Sequence, residues 1–146
     1  MASDDLSEWV ELLASEKVEF VIVGGHAVAW HGHPRFTGDI DFLMRATPEN
    51  ARRVARVLER FGFGSLGVTE QDLLTEGQVI QLGRPPNRID VLTSITGVAT
   101  DEVFRNRVPG RLSRHDVHYI SLPDLLANKR ATGRAKDLAD VEALTH

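Results

Sequence analysis

The sequence predicts a mixed α/β (α+β) fold: a small, partly antiparallel sheet flanked by helices, with a helical pair at the C-terminal end. Three observations carry this. Short β-branched or alternating runs (VEFVIV, DIDFLM, QVIQL, RIDVL, VHYI) recur between segments whose apolar residues have helical spacing. QVIQL and RIDVL are joined by GRPPN, which suits a hairpin and is too short for a parallel crossover. Beyond residue 121 the pattern is helical, interrupted at Gly133.

Taken in order, Leu6, Trp9, Val10 and Leu13 recur at helical spacing behind Ser3 and two acids, which predicts a helix over 4–16. Val18 to Val23 reads as a strand ended by Gly24 and Gly25. Ala27 to His31 can form a turn or two of helix before Gly32 and Pro34 break it. Asp39 to Met44 alternates at its start, placing Ile40, Phe42 and Met44 on one side of a half-buried strand. Thr47-Pro48 opens a helix with proline at its first position, Ala51, Val54, Ala55, Leu58 and Phe61 form its stripe, and Gly62 ends it. Residues 63–76 are ambiguous, with DLLTEG offering a helical turn. After the hairpin come a short helix over 101–107 and a strand over 117–120. Ser121-Leu122-Pro123-Asp124 resembles a capping box and predicts a helix over 122–131. A last helix over 134–144 is expected to turn Leu138, Val141 and Leu144 inward, and Trp9 and Trp30 read as packing residues.

A chain of 146 residues predicts one domain, 1–146, with its C-terminal helices over 121–146. There is no cysteine, which excludes disulfides and cysteine-based zinc sites and favours a cytoplasmic setting. The acidic, polar start MASDDLSEW is unlike a signal peptide, and no apolar run approaches the roughly 20 residues of a membrane helix. A net charge of -4 argues against stable, nonspecific nucleic-acid binding, although a local basic groove remains compatible with it.

The chemistry-bearing residues begin with Asp39 and Asp41. Alternate strand residues share a face, so the two carboxylates point the same way. Adjacent carboxylates repel unless a cation sits between them, and Mg²⁺ typically takes one or two carboxylates together with substrate phosphates. Asp90, between Ile89 and Val91, also faces away from the core. If its strand pairs beside Asp39–Met44, three acids converge, enough for two metal ions and an in-line attack on phosphorus. Gly24-Gly25 closes the first strand before a short helix, a turn that lets backbone N–H groups approach an anion.

A glycine pair after an apolar strand, Asp-x-Asp in a second strand and a lone acid in a third resemble the nucleotidyltransferase superfamily of the DNA polymerase β type. The elements here are Val23-Gly24-Gly25, Asp39-Ile40-Asp41-Phe42 and Asp90. Arg35-x-Thr37-x-Asp39, with the tail Asn128-Lys129 and Gly133-Arg134-Ala135-Lys136-Asp137-Leu138-Ala139-Asp140, is similar to a narrower branch. That branch holds the AbiEii-type abortive-infection toxins and related bacterial proteins, and the resemblance covers roughly residues 18–144. It implies the nucleotidyltransferase fold and transfer of a nucleoside monophosphate from a nucleoside triphosphate to a hydroxyl on a protein, an RNA or a small molecule. Asp39, Asp41 and Asp90 would be the metal ligands and catalytic acids for Mg²⁺ or Mn²⁺, with Asp90 as the base. Gly24 and Gly25 would hold the phosphates.

Arg35 and Thr37 lead into the acids and would contact a phosphate, or Thr37 would simply form the turn. Lys129 takes the next seat on the face of Leu122, Leu125 and Leu126, where it either snorkels to the rim or meets phosphate. Asp137 and Asp140 would orient Lys129 or Arg134, or pair on a solvated helix. His26, His31 and His33 do not share a face suited to zinc, although His26 follows the glycines and could line a nucleotide pocket. Alternatives to the enzyme are a toxin–antitoxin component acting on a cognate partner protein or RNA, and a nucleotide-binding module without turnover. A sugar-nucleotide glycosyltransferase also uses Asp-x-Asp, but 146 residues are too few for that fold.

Overall fold

A computed structural model describes residues 4–84 and 86–146. Ser3, read above as leading into the first helix, and Pro85 of the hairpin loop lie outside the described residues. Within them the chain runs α1 (Asp4–Ser15), β1 (Phe20–Val23), α2 (Gly24–Trp30), β2 (Asp39–Met44), α3 (Pro48–Arg60), α4 (Glu70–Leu74), β3 (Val79–Leu82) and β4 (Arg88–Leu92). It continues through α5 (Thr100–Asn106), β5 (Val108–Leu112), β6 (His115–Tyr119), α6 (Leu122–Thr132) and α7 (Ala135–Thr145). The sheet has six strands in the order β3-β4-β2-β1-β6-β5. It is mixed: β1 and β2 are antiparallel, β2 and β4 parallel, β1 and β6 parallel, and the β3–β4 and β5–β6 hairpins antiparallel.

The alternation in β2 sorts the two faces. Phe42 is fully buried and meets Trp9 of α1 edge-on at 6.1 Å, and Trp9 in turn packs against Phe61 beyond α3. One face of the sheet is therefore covered by α1 and α3, whose stripes include Leu13, Val54 and Val57, all fully buried. Thr47 caps α3 by accepting from the Asn50 N–H at 3.2 Å, with Pro48 at the first helical position as the sequence predicts. Buried Asn50 ties α3 to the ends of β1 and β2 through bonds with the Glu19 backbone and the Arg45 carbonyl.

Three expectations need correction. Strand β5 was not foreseen, because VPGRL carries a proline and a glycine. It is a sheet edge, where a missing N–H costs no ladder bond. Helix α2 starts at Gly24 itself, not at Ala27. Leu138 does not point inward: it is 50% exposed, while Asp137 and Asp140 are buried. The face that α7 presents to the protein is therefore set by ion pairs as well as by apolar residues. Trp9 is a packing residue, whereas Trp30 is half-exposed and stacks on Tyr119 at 4.6 Å. Ser121 caps α6 by accepting from the Asp124 N–H, while the Asp124 carboxylate takes a hydrogen bond from Asn106 instead of completing the box. Among the described residues no helix is long and apolar enough to cross a membrane.

Candidate active site

The parallel pairing of β2 with β4 sets Asp41 directly opposite Asp90 and Asp39 opposite Arg88. Period-2 alternation then brings Asp39, Asp41 and Asp90 onto one face, away from Phe42. A carboxylate oxygen from each lies within 4.8 Å of the others. The acids line a cavity of about 680 Å³ that also reaches Gly24, Gly25, Arg35, Thr37 and Lys129. All eight residues singled out from the sequence thus border one space. A smaller cavity of about 280 Å³ adjoins it, sharing Arg35, Phe36, Thr37, Asp39 and Arg88 and adding His26.

The glycine pair has a steric role that the sequence did not reveal. Gly24 sits at φ +69°, the left-handed region that side chains avoid, and a Cβ there would fall on Asp41 Oδ2. A Cβ on Gly25 would come within 3.0 Å of Thr37 Oγ1. The bare backbone of this turn lets the Asp41 carboxylate and the Thr37 hydroxyl lie against it. Thr37 in turn donates towards Asp39 Oδ1 and the Asp39 carbonyl, each at 3.1 Å, and so holds the first acid in place.

The electrostatics are unbalanced at Asp41. Burial, then the neighbouring Asp39 and Asp90 charges, push its carboxyl up from 3.8 to about 7. Its Oδ1 is buried with no hydrogen-bond partner. Burial also raises Asp90, although Arg88 pulls the other way. His26 is lowered, chiefly by burial, and its Nδ1 is another buried atom without a partner. Three hard oxygen donors in reach of one another, with an orphaned oxygen on the central acid, fit Mg²⁺ or Mn²⁺.

Among the described residues, the side chain bonded to the acids that sequence reasoning passed over is Arg88. Its Nε donates to Asp90 Oδ1 at 2.8 Å, and one terminal nitrogen donates to Asp39 Oδ2 at 2.7 Å and Asp90 Oδ2 at 3.1 Å. The signal was present: Arg88 is two residues before Asp90 in a strand and shares its face.

A second ionic group borders the cavity. Lys129 is neither a rim lysine nor a free phosphate donor in this structure; it is buried between Asp137 and Asp140, with its Nζ 3.2 Å from each. Asp137 also takes bonds from Thr132 and Arg134, and Asp140 pairs with Arg35 at 3.2 Å. Burial alone would raise the Asp137 carboxyl, but its bonds to Arg134, Thr132 and Lys129 outweigh it and hold the group well below the usual carboxylate range. The two aspartates therefore orient both Lys129 and Arg134, and Arg35 besides. In this way α6 and α7 are tied to the segment that leads into β2.

No curated protein matches the chain. One family does, over residues 5–145, and it is described as a nucleotidyltransferase of unknown function (DUF6036). The match agrees with the superfamily resemblance carried by the glycine turn and the three acids, and does not single out the AbiEii branch. The chain belongs to this nucleotidyltransferase family.

Proposed function

We propose that the protein is a metal-dependent enzyme that transfers a nucleoside monophosphate from a nucleoside triphosphate to a hydroxyl acceptor. The observation that carries this reading is the meeting of Asp39, Asp41 and Asp90 within 4.8 Å beside the Gly24 turn. Asp39, Asp41 and Asp90 would hold Mg²⁺ or Mn²⁺, which supplies charge neutralisation at the phosphates and favours the deprotonated acceptor. Gly24 and Gly25, in the first turn of α2, have N–H groups without intrahelical partners and would meet the phosphates. Thr37 orients Asp39. Lys129, Arg35 and Arg134 give the far wall of the cavity its positive charge.

In the transfer, the acceptor oxygen forms a bond to the α-phosphorus, and the bond from that phosphorus to the β-phosphate bridging oxygen breaks. Pyrophosphate leaves with the electron pair, and the acceptor proton passes to Asp90. The family's description as a nucleotidyltransferase supports transfer of a nucleotidyl group, and the three-acid donor set supports a metal-assisted route.

The test is incubation with Mg²⁺ or Mn²⁺ and each α-labelled triphosphate, with panels of protein, RNA and small hydroxylated acceptors. Label transfer with equimolar pyrophosphate release, lost in Asp39→Asn, Asp41→Asn and Asp90→Asn while the fold persists, is expected. A labelled protein or RNA would identify the acceptor class. Nucleotide binding with no turnover on any panel would overturn the enzymatic reading in favour of a binding module.

A further inference from the structure

Arg88 occupies the position that a cation shared by Asp39 and Asp90 would take. One terminal nitrogen lies 2.7 Å from Asp39 Oδ2 and 3.1 Å from Asp90 Oδ2, and Nε lies 2.8 Å from Asp90 Oδ1. A divalent ion bound to those oxygens would sit about 2.1 Å from them. The nitrogen and the ion cannot share that space. The other cations facing the cavity raise no such conflict: Arg35, Lys129 and Arg134 are held by Asp137 and Asp140, which are outside the acid cluster, and exposed Lys136 makes no ion pair with the three acids. Arg88 is the paired one whose partners must be given up.

We propose that Arg88 is a built-in counter-cation of the acid cluster, displaced when metal and polyphosphate arrive together, and that its freed guanidinium then binds the phosphates. The inference rests on reading Asp39, Asp41 and Asp90 as the metal site. Metal alone must break the arginine's bonds and offers the guanidinium nothing in return. A metal–polyphosphate complex brings oxygens that match the planar fork of Arg88, which already lines the cavity and is a quarter exposed. Metal and polyphosphate are thereby coupled: each binds better with the other present. In their absence the arginine holds Asp39 and Asp90 together against their own repulsion. Arg88 is thus a positioning residue first and a phosphate contact second.

Calorimetric titration with Mn²⁺ alone, and with Mn²⁺ plus inorganic tripolyphosphate, separates these roles. Arg88→Gln should bind Mn²⁺ alone about tenfold more tightly than the unaltered protein and the Mn²⁺–tripolyphosphate pair about tenfold more weakly. Arg88→Lys retains a charge but not the fork, so it should bind Mn²⁺ like the unaltered protein and still lose tripolyphosphate affinity. It also serves as the folded control if Arg88→Gln proves unstable without metal. Opposite signs for the two ligands are the expected signature, because a merely structural defect would weaken both. Equal Mn²⁺ affinity in Arg88→Gln and the unaltered protein, or changes of the same sign for both ligands, overturns the proposal and leaves the metal site standing. Absence of Mn²⁺ binding in every variant, with or without tripolyphosphate, overturns the metal reading itself.

Discussion

Asp41→Asn separates the charge on the central acid from its shape. In the folded protein the Asp41 carboxyl titrates at about 7, mainly because it is buried and then because Asp39 and Asp90 lie beside it. In the unfolded chain it titrates near its ordinary value of 3.8. Between those values the folded state keeps a proton that the unfolded state has lost. Stability from this group is therefore fully present below pH 3.8 and drains away as pH rises through about 7. The gap corresponds to as much as about 4 kcal/mol. Asparagine never ionises, so the variant should gain on the unaltered protein across this window, by up to about 4 kcal/mol at pH 8. The assay is urea unfolding in EDTA from pH 4 to 8, reading the difference between the two proteins. Taking the difference cancels the opposing contribution of His26, whereas Asp90, which lies against Asp41, titrates together with it and is part of the difference. With saturating Mg²⁺ the order should reverse, since a cation that prefers ionised Asp41 stabilises the unaltered protein and not the variant. A difference that stays flat with pH in EDTA, or equal Mg²⁺ stabilisation of both proteins, would refute the reasoning.

Two further outcomes are expected. Gly24→Ala should cost about 1–2 kcal/mol for a left-handed alanine, measurable by urea unfolding; it should also weaken Mn²⁺ binding, since the new Cβ displaces the Asp41 carboxylate. Asp137→Ala should cost about 3 kcal/mol, because it leaves Lys129, Thr132 and Arg134 without a buried common acceptor. It should also flatten the stability that the unaltered protein loses as pH falls below 3.8, where this aspartate takes up a proton in the unfolded chain while the folded protein holds it ionised, as thermal melts at pH 2.5–7 would report.

Much of the site was legible because it is built on strands, where a face can be read residue by residue. Asp39–Met44 and Arg88–Leu92 have the boundaries that the alternation predicted, and the three acids share the face it assigned. What escaped was whatever depends on partners distant in sequence. The inward face of α7 was judged by its leucines, yet burial there follows Asp137 and Asp140, which gain Lys129 from α6 and Arg35 from the loop before β2. Strand β5 escaped because Pro109 and Gly110 suppress local strand signals. Gly110 is there because a Cβ would strike the ring of Tyr119. Arg88 was read only as the start of a strand, though its position two residues from Asp90 placed it among the acids.

The precision of the acid cluster is a property of the sheet core. Asp41 and Asp90 are 49 positions apart and meet only because β2 and β4 pair in one register. A slip of one residue would turn Asp90 into the face that Phe42 fills and set an apolar side chain against Asp41. Ile40 opposite Ile89 and Phe42 opposite Val91 hold the register from below, since each is buried and a slip would expose one set to water. Arg88 opposite Asp39 holds it from above, with a salt bridge that exists only in this alignment. The apolar contacts persist through the reaction proposed here, whereas the arginine's bond must break in it. Register must therefore rest on the core face alone once metal and nucleotide are bound, which is why the four apolar partners, and not the ion pair, set how well the acids stay aligned during transfer.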